Sequence, residues 1–278
     1  MKPNKHISLL LIISSLFIIS CQTDDTLESE PQNNVQNFES YHYMYMHYPN
    51  NILLSNTNGI IRIEYDNQNR PIKRIGGMAA LPASTGFGYI FSGTYAEEIT
   101  YENNDISLFV KSTDPNIYPD RLKTIFKTEN GKIIRRVEVN VNYPNANDTI
   151  NYFYSNDRLV RSFRKKIFPV SESKYYYNSA GNVDSIVARP LNYDAVTQTW
   201  TVDNITNYRT VQTFSNYDSS LNPTKKLMLF EEIFNRSLSN NNYRSYESKS
   251  YDFNGSVLES STRNWTFNYV NNQIIFGN

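Results

Sequence analysis

The sequence predicts an all-β protein, an antiparallel meander of repeated β-hairpins forming a curved sheet or open barrel, with one short amphipathic helix at about 224–238. Three observations predict it. The 278-residue chain carries 22 tyrosines and 15 phenylalanines, side chains that suit pleated, half-buried surfaces with the tyrosine hydroxyl reaching water. Beyond residue 20 long apolar runs are few, while Asn, Ser and Thr abound. One pattern also recurs: alternating aromatic or β-branched residues, a turn of Asn, Asp or Gly, then a second short alternating run.

Residues 1–20 come first. Lys2 and Lys5 precede a charge-free apolar run from Ile7 to Ile19, closed by Ser20. A charged start, an apolar core of this length and a small residue before the cut describe a secretory signal peptide, too short for the ~20 residues a membrane span needs. Cys21 is the only cysteine, so an exported chain cannot pair it internally. A thiol at the cleavage point makes sense as an attachment site for lipid, and two or more acyl chains hold stably where one is marginal. From Gln22 to about Ser40 the chain is polar and acidic, with Asp24, Asp25, Glu28 and Glu30 and no basic residue. It cannot bury enough apolar surface to fold and is expected to be a tether. Residues 41–278 are then one all-β domain, since such domains commonly run to ~200–250 residues.

Seven hairpins are expected in that domain. Ile63-Glu64-Tyr65 leads through Asp66–Asn69 to Ile72 and Ile75, and Ile99-Thr100-Tyr101 through Glu102–Asp105 to Ile106. Ile125-Phe126 turns at Asn130-Gly131 into Ile133, Ile134 and Val137; Tyr152-Phe153-Tyr154 turns at Asn156-Asp157 into Leu159 and Phe163. Tyr175–Tyr177 turns at Gly181-Asn182 into Val183 and Ile186, and Tyr251-Asp252-Phe253 at Asn254-Gly255 into Val257. Phe267-Asn268-Tyr269 turns at Asn271-Asn272 into Ile274 and Phe276. Asn-Gly and similar pairs tolerate the positive φ of tight turns, and alternation sends one face of each strand to the core. A lone hairpin is unstable, so the units must pair edge to edge and curl or fold over.

Two stretches depart from this pattern. Thr224 to Leu238 places Leu227, Phe230, Phe234 and Leu238 at helical spacing after Pro223 and before an Asn run, which predicts one helix capped by Thr224. It is expected to plug an open end of the sheet or to dock a partner. Gly76 to Thr94 holds five of the ten glycines and is expected to be a long connecting loop, with no phosphate-loop lysine.

Several motifs carry resemblances. Ile18-Ile19-Ser20-Cys21 resembles the bacterial lipobox, which implies cleavage before Cys21 and its acylation, palmitate included, in a Gram-negative envelope. Gln22-Thr23-Asp24-Asp25 resembles the acidic signal that sends Bacteroidota lipoproteins to the outer face of the outer membrane; an ordinary solvated tether is the alternative. Tyr65-Asp66-Asn67-Gln68-Asn69-Arg70-Pro71-Ile72 resembles a unit of the tyrosine-aspartate (YD, Rhs-type) repeats, with Asn69 in place of the usual turn glycine. Tyr217-Asp218-Ser219-Ser220-Leu221-Asn222-Pro223 is similar to a segment of Bacteroidota lipoproteins built from such hairpins. The resemblance implies fold and location over roughly 60–278, and no activity; seven units are too few for the closed shells of large Rhs proteins. Asp25-Thr26-Leu27, Asp148-Thr149-Ile150 and Asp184-Ser185-Ile186 resemble Bacteroidota O-glycosylation acceptors, which implies glycan on Thr26, Thr149 and Ser185 if these are exposed.

Composition narrows the chemistry. Losing residues 1–20 removes Lys2 and Lys5 and leaves 25 basic against 27 acidic residues. A near-neutral domain without a basic face argues against nucleic acid, whose binding rests on phosphate neutralisation. His42 and His47 lie in an alternating run, Tyr41 to Tyr48, that is expected to be the first core strand and sends them to opposite faces, so no metal site and no cofactor are expected. No nucleophile-elbow or zinc motif occurs, and catalytic residues are expected to be none. Two carboxylates suffice for glycoside hydrolysis, but in the visible pairs, Glu97-Glu98 and Glu231-Glu232, adjacent side chains on a strand diverge. The expected partners are therefore the membrane, through Cys21, and either a polysaccharide or an envelope protein. Trp200 and Trp265 are the candidate stacking residues, on a concave sheet face. A carbohydrate hydrolase and a structural spacer are the other readings.

Overall fold

A computed structural model describes residues 37–46, 59–80, 89–113, 122–140, 147–166, 170–202, 208–270 and 273–275. They belong to a compact unit, Gln36–Asn278. Fifteen strands form a single antiparallel sheet: β1 (Ser40–His42), β2 (Ile60–Tyr65), β3 (Pro71–Ala80), β4 (Tyr89–Glu102), β5 (Asp105–Ser112), β6 (Leu122–Glu129), β7 (Lys132–Asn140), β8 (Asp148–Ser155), β9 (Arg158–Lys165), β10 (Val170–Tyr177), β11 (Val183–Asp194), β12 (Thr199–Val202), β13 (Arg209–Tyr217), β14 (Tyr243–Tyr251) and β15 (Val257–Asn264). Neighbours in the chain are neighbours in the sheet, except that β12 and β13 both pair with β11, β12 along Leu191–Asp194 and β13 along Ser185–Ala188. A separate two-stranded piece, β16 (Asn268–Val270) and β17 (Gln273–Ile275), completes the seven expected hairpins.

The turns follow the chemistry of their residues. Asn130-Gly131 (φ 49° and 72°) and Asn156-Asp157 (φ 47° and 62°) supply the two consecutive positive φ values that a two-residue hairpin turn demands. Three others share a five-residue design. Asp66 accepts hydrogen bonds from the Gln68 and Arg70 amides, Asn178 from those of Ala180 and Asn182, and Asp252 from those of Asn254 and Ser256, all at 2.8–3.1 Å. The fourth residue of each is left-handed: Asn69 (φ 57°), Gly181 (φ 78°) and Gly255 (φ 84°). Asn69 thus takes the glycine's place because asparagine tolerates that conformation best among side-chain residues.

Tyrosines tie successive hairpins together. The hydroxyls of Tyr101, Tyr154, Tyr177 and Tyr217, each at or near the end of a strand, donate to the carbonyls of Pro71, Ile133, Leu159 and Val183, which begin the second strand of an earlier hairpin. Tyr65 does the same to Phe38 at 2.8 Å. At β6 the Thr128 hydroxyl fills this role, donating to Asn104 at 3.0 Å. These hydroxyls reach backbone oxygen rather than water, and burial pushes Tyr101 and Tyr154 up to about 12.

The inward face holds one core, including Tyr41, Ile61, Ile99, Leu108, Tyr152, Leu159, Val183 and Tyr243. Into it packs the segment expected as one helix. It is instead a 3-10 turn, Pro223–Leu227, capped by Asn222, and a separate helix, α2 (Glu231–Ser237). Phe230 between them is extended (φ −97°, ψ 125°). Leu227, Leu229, Phe230 and Ile233 are all buried; on one continuous helix Leu229 would lie about 160° around the axis from Leu227, and the break lets all four enter the core.

This short helix reports the curvature. Laid flat, β1 and β14 would stand about 60 Å apart, at about 4.8 Å per strand spacing. Yet α2, about 10 Å long, meets β1 through Glu232 and Tyr41, β8 through Phe234 and Tyr152, and β14 through Arg236 and Tyr243. The sheet therefore curls around it. Among the described residues no strand ladder closes the curl; the two edges meet through Trp265, whose Nε1 donates to the Tyr45 carbonyl at 2.6 Å, and through the Tyr45 hydroxyl, which donates to the Thr266 carbonyl.

Two more expectations need correction. The run after Tyr41 is strand only to His42, then a single turn, α1 (Tyr43–Met46); His47 lies outside the described residues. Gly76 to Thr94 is no long loop: β3 runs on to Ala80 and β4 resumes at Tyr89, with 81–88 outside the described residues. A shift in the β3–β4 register between Ile75 and Gly77 absorbs Gly76, which adopts φ 92°.

Candidate functional site

Because the inward face is filled, the outward face is where the sheet meets its surroundings. Ladder register fixes which residues share it. Opposite one another on β7 to β11 stand Arg135 and Asn151, Asn151 and Phe163, Phe163 and Glu172, Glu172 and Arg189. By the same alternation Phe153, Arg161, Lys165, Lys174, Tyr176, Val187, Arg209 and Val211 lie on that face. Among the described, paired outward positions of β7–β13, the charged side chains are cations with the single exception of Glu172. A near-neutral composition therefore conceals a basic face, contrary to the expectation that there is none.

Two grooves mark this face, and β12 lines both, the one through Trp200 and the other through Val202. One, of about 500 Å³, is lined by Arg135, Thr149, Phe163, Lys165, Lys166 and Trp200. The other, of about 400 Å³, is lined by Glu172, Lys174, Tyr176, Arg189, Val202 and Arg209. Trp200 packs against Tyr193, with ring centroids 5.2 Å apart, and Tyr193 and Tyr176 are about half exposed, at 52% and 49%. Arg161 lies 4.0 Å over the Phe153 ring and Arg209 4.1 Å over Tyr251, so the face interleaves cations with flat rings. Glu172 is engaged by Arg161 at 3.3 Å and Lys174 at 3.6 Å. Arg135, Lys165, Lys166 and Arg189 make no salt bridge among the described residues.

The other concentration of charge is internal. Arg74 on β3, 4% exposed, donates to Glu232 on α2 at 2.5 Å, to Glu97 on β4 at 3.4 Å and to the Gly76 carbonyl at 3.1 Å; Tyr41 donates to Glu232 at 2.7 Å. Burial pushes Glu97 up, against the opposing pull of Arg74. Burial also penalises Glu232, but Arg74, Tyr41 and a backbone hydrogen bond outweigh it and hold the carboxyl below the usual range. Glu98 and Glu231 turn away to Lys111 (2.5 Å) and Arg136 (3.1 Å), so each adjacent pair does diverge. Two carboxylates do meet here, but across a guanidinium that occupies the space between them. The cluster clamps α2 to the sheet. Sequence reading missed it, since the pairing of Glu97 with Glu232 joins two elements far apart in the chain.

The expected site residues fall in different places. Cys21, Gln22, Thr23, Asp24, Asp25 and Thr26 lie outside the described residues. Trp265, expected as a stacking residue, is core: it is 4% exposed, edge-on to Tyr243 and beside the Arg236 guanidinium. Trp200 is half-buried and lines a groove, on the convex face rather than the expected concave one. Thr149 and Ser185 are half-buried within ladders, opposite Val137 and Lys165, and opposite Tyr176 and Thr213. Among the described residues no group of three His, Cys, Asp or Glu could hold a metal ion, and no helix is long and apolar enough to cross a membrane.

No family model and no curated protein matches the chain. Solved structures to which it is similar include a porin-like protein from Bacteroides vulgatus, with a TM-score of 0.45 and 12% identity, covering 78% of this chain and 84% of that one. A porin-like protein from Bacteroides uniformis has a TM-score of 0.40 and 12% identity, covering 78% and 86%. No residue role follows from this likeness.

Proposed function

We propose that this chain is a surface lipoprotein of the outer membrane, anchored through Cys21, that works as a non-enzymatic module binding an envelope polysaccharide. The observation that carries the reading is Trp200 in an open groove on the outward face, beside further half-exposed rings. Flat aromatic surfaces give a pyranose ring a broad apolar contact, while nearby polar groups fix its orientation. Binding is favoured over hydrolysis because the carboxylates that face one another across a shared partner are committed to arginines, Glu97 and Glu232 to Arg74 and Glu138 and Glu231 to Arg136. The acidic Gln22–Asp25 segment supports the surface address.

Affinity electrophoresis of the whole chain through gels containing different polysaccharides tests the binding role. At least one gel is expected to retard the protein, with Trp200→Ala weakening retardation about tenfold, or about 1.4 kcal/mol. Unretarded migration in every gel would sink the binding role. The address is tested by shaving intact cells with protease: wild type should be digested and Asp24→Ala/Asp25→Ala protected. Protection of both places the domain on the periplasmic side.

A further inference from the structure

We infer that the two grooves that β12 lines take an acidic polysaccharide, a polymer bearing carboxylates at regular intervals, such as a polyuronate. This deepens the reading above and rests on it. Residues 41–278 hold 25 basic and 22 acidic residues, close enough to balance that chance would mix the signs on every face. Instead one groove sets Arg135, Lys165 and Lys166 around Trp200 with no acid in its lining. The other sets Lys174, Arg189 and Arg209 around Tyr176, where Glu172 is the one acid and is already occupied by Lys174 and Arg161.

The β12 strand joins the two sites. Trp200 lines the first groove and Val202 the second, two residues apart on one strand, so a linear polymer crossing β12 meets both. The alternation of ring and cation suits a chain of uronate units. The ring faces take the sugars, the guanidinium groups take carboxylates in their fork, and the lysines act as point charges. A compact anion such as a single phosphate would draw its cations or amides around one point; here Arg135, Lys165, Lys174, Arg189 and Arg209 are spread over two grooves, as a polymer requires. Repeated weak contacts along one ligand add up through effective concentration.

The test uses affinity electrophoresis with polygalacturonate and the same polymer after carboxyl reduction. Wild type is expected to be retarded by the acidic polymer and at least about tenfold less by the reduced one. Lys165→Glu/Arg189→Glu, both at surface positions, should lose about tenfold in affinity, as for two lost ion contacts. Lys73→Glu/Lys111→Glu, with the same charge change away from the grooves, should not. Equal retardation by both polymers would overturn the acidic assignment and leave polysaccharide binding standing; migration unaffected by any polysaccharide would remove both. Equal binding to single-stranded DNA or to phosphatidylglycerol vesicles, with Trp200→Ala inert, would show bare polyanion attraction and overturn the inference.

Discussion

Arg74 shows how one residue can hold the interior together and leave a signature in pH. Its guanidinium is buried between Glu97 and Glu232, and losing a partner from such a group strands a charge, at about 3–5 kcal/mol. Glu232→Gln should cost less than that, about 2–3 kcal/mol at pH 7, because Glu97 still balances Arg74. The sign of its pH dependence follows from the depressed carboxyl of Glu232. Stability from this group is fully present above the ordinary glutamate range near ~4.3 and is lost as pH falls through its lower folded value. Urea titrations should therefore show a wide gap between wild type and Glu232→Gln at pH 7 that closes below about pH 4. Glu97 works oppositely: burial raises it, so its charged form is a penalty above the raised value. Glu97→Gln should be near neutral or stabilising at pH 7. A gap for Glu232→Gln that is constant with pH would show that the ion pair does not carry the effect.

At the scale of elements, most of the fold was legible because its signals are local. A turn is specified by four or five adjacent residues, and the six hairpin turns among the described residues lie where Asn, Asp and Gly put them. The shared five-residue turn makes a graded prediction. A Cβ at Gly255 meets nothing within 4 Å, so Gly255→Ala costs only left-handed strain, about 1–2 kcal/mol. A Cβ at Gly181 would lie 2.4 Å from Asn240 Nδ2, which donates to the Ala180 carbonyl at 2.9 Å. Gly181→Ala must strain the backbone and also displace that hydrogen bond, adding about 1 kcal/mol or more. Thermal unfolding of the two variants should rank them in that order, and equal losses would show that the Asn240 contact carries no energy. The helix was only half legible. Leu227, Phe230 and Phe234 fit a helical stripe, but Leu229 competes for the same core, and tertiary packing overrode the local period. For Tyr41 to Tyr48 a similar alternation misled, since the chain leaves the sheet after His42 to bring Tyr45 to Trp265.

The whole molecule holds what no local pattern could reveal. Charge segregation depends on which face each strand position takes, and a shift in register, as between Phe153 and Tyr154, swaps faces within a strand. Composition gave near neutrality, while the folded sheet gathers its cations around Trp200 and Tyr176. The two tryptophans, equivalent in sequence, part in the same way: Trp265 secures the meeting of the sheet's edges and Trp200 faces out. The most direct test of the claim that this convex face is the working surface is hydroxyl-radical footprinting of the whole chain with and without polygalacturonate. Trp200, Tyr193 and Tyr176 should be protected on binding, while Phe253 and Leu258, at least as exposed at the β14–β15 hairpin, should oxidise at unchanged rates. Protection at Phe253 and Leu258 with Trp200 unchanged would put the binding surface elsewhere and contradict the account.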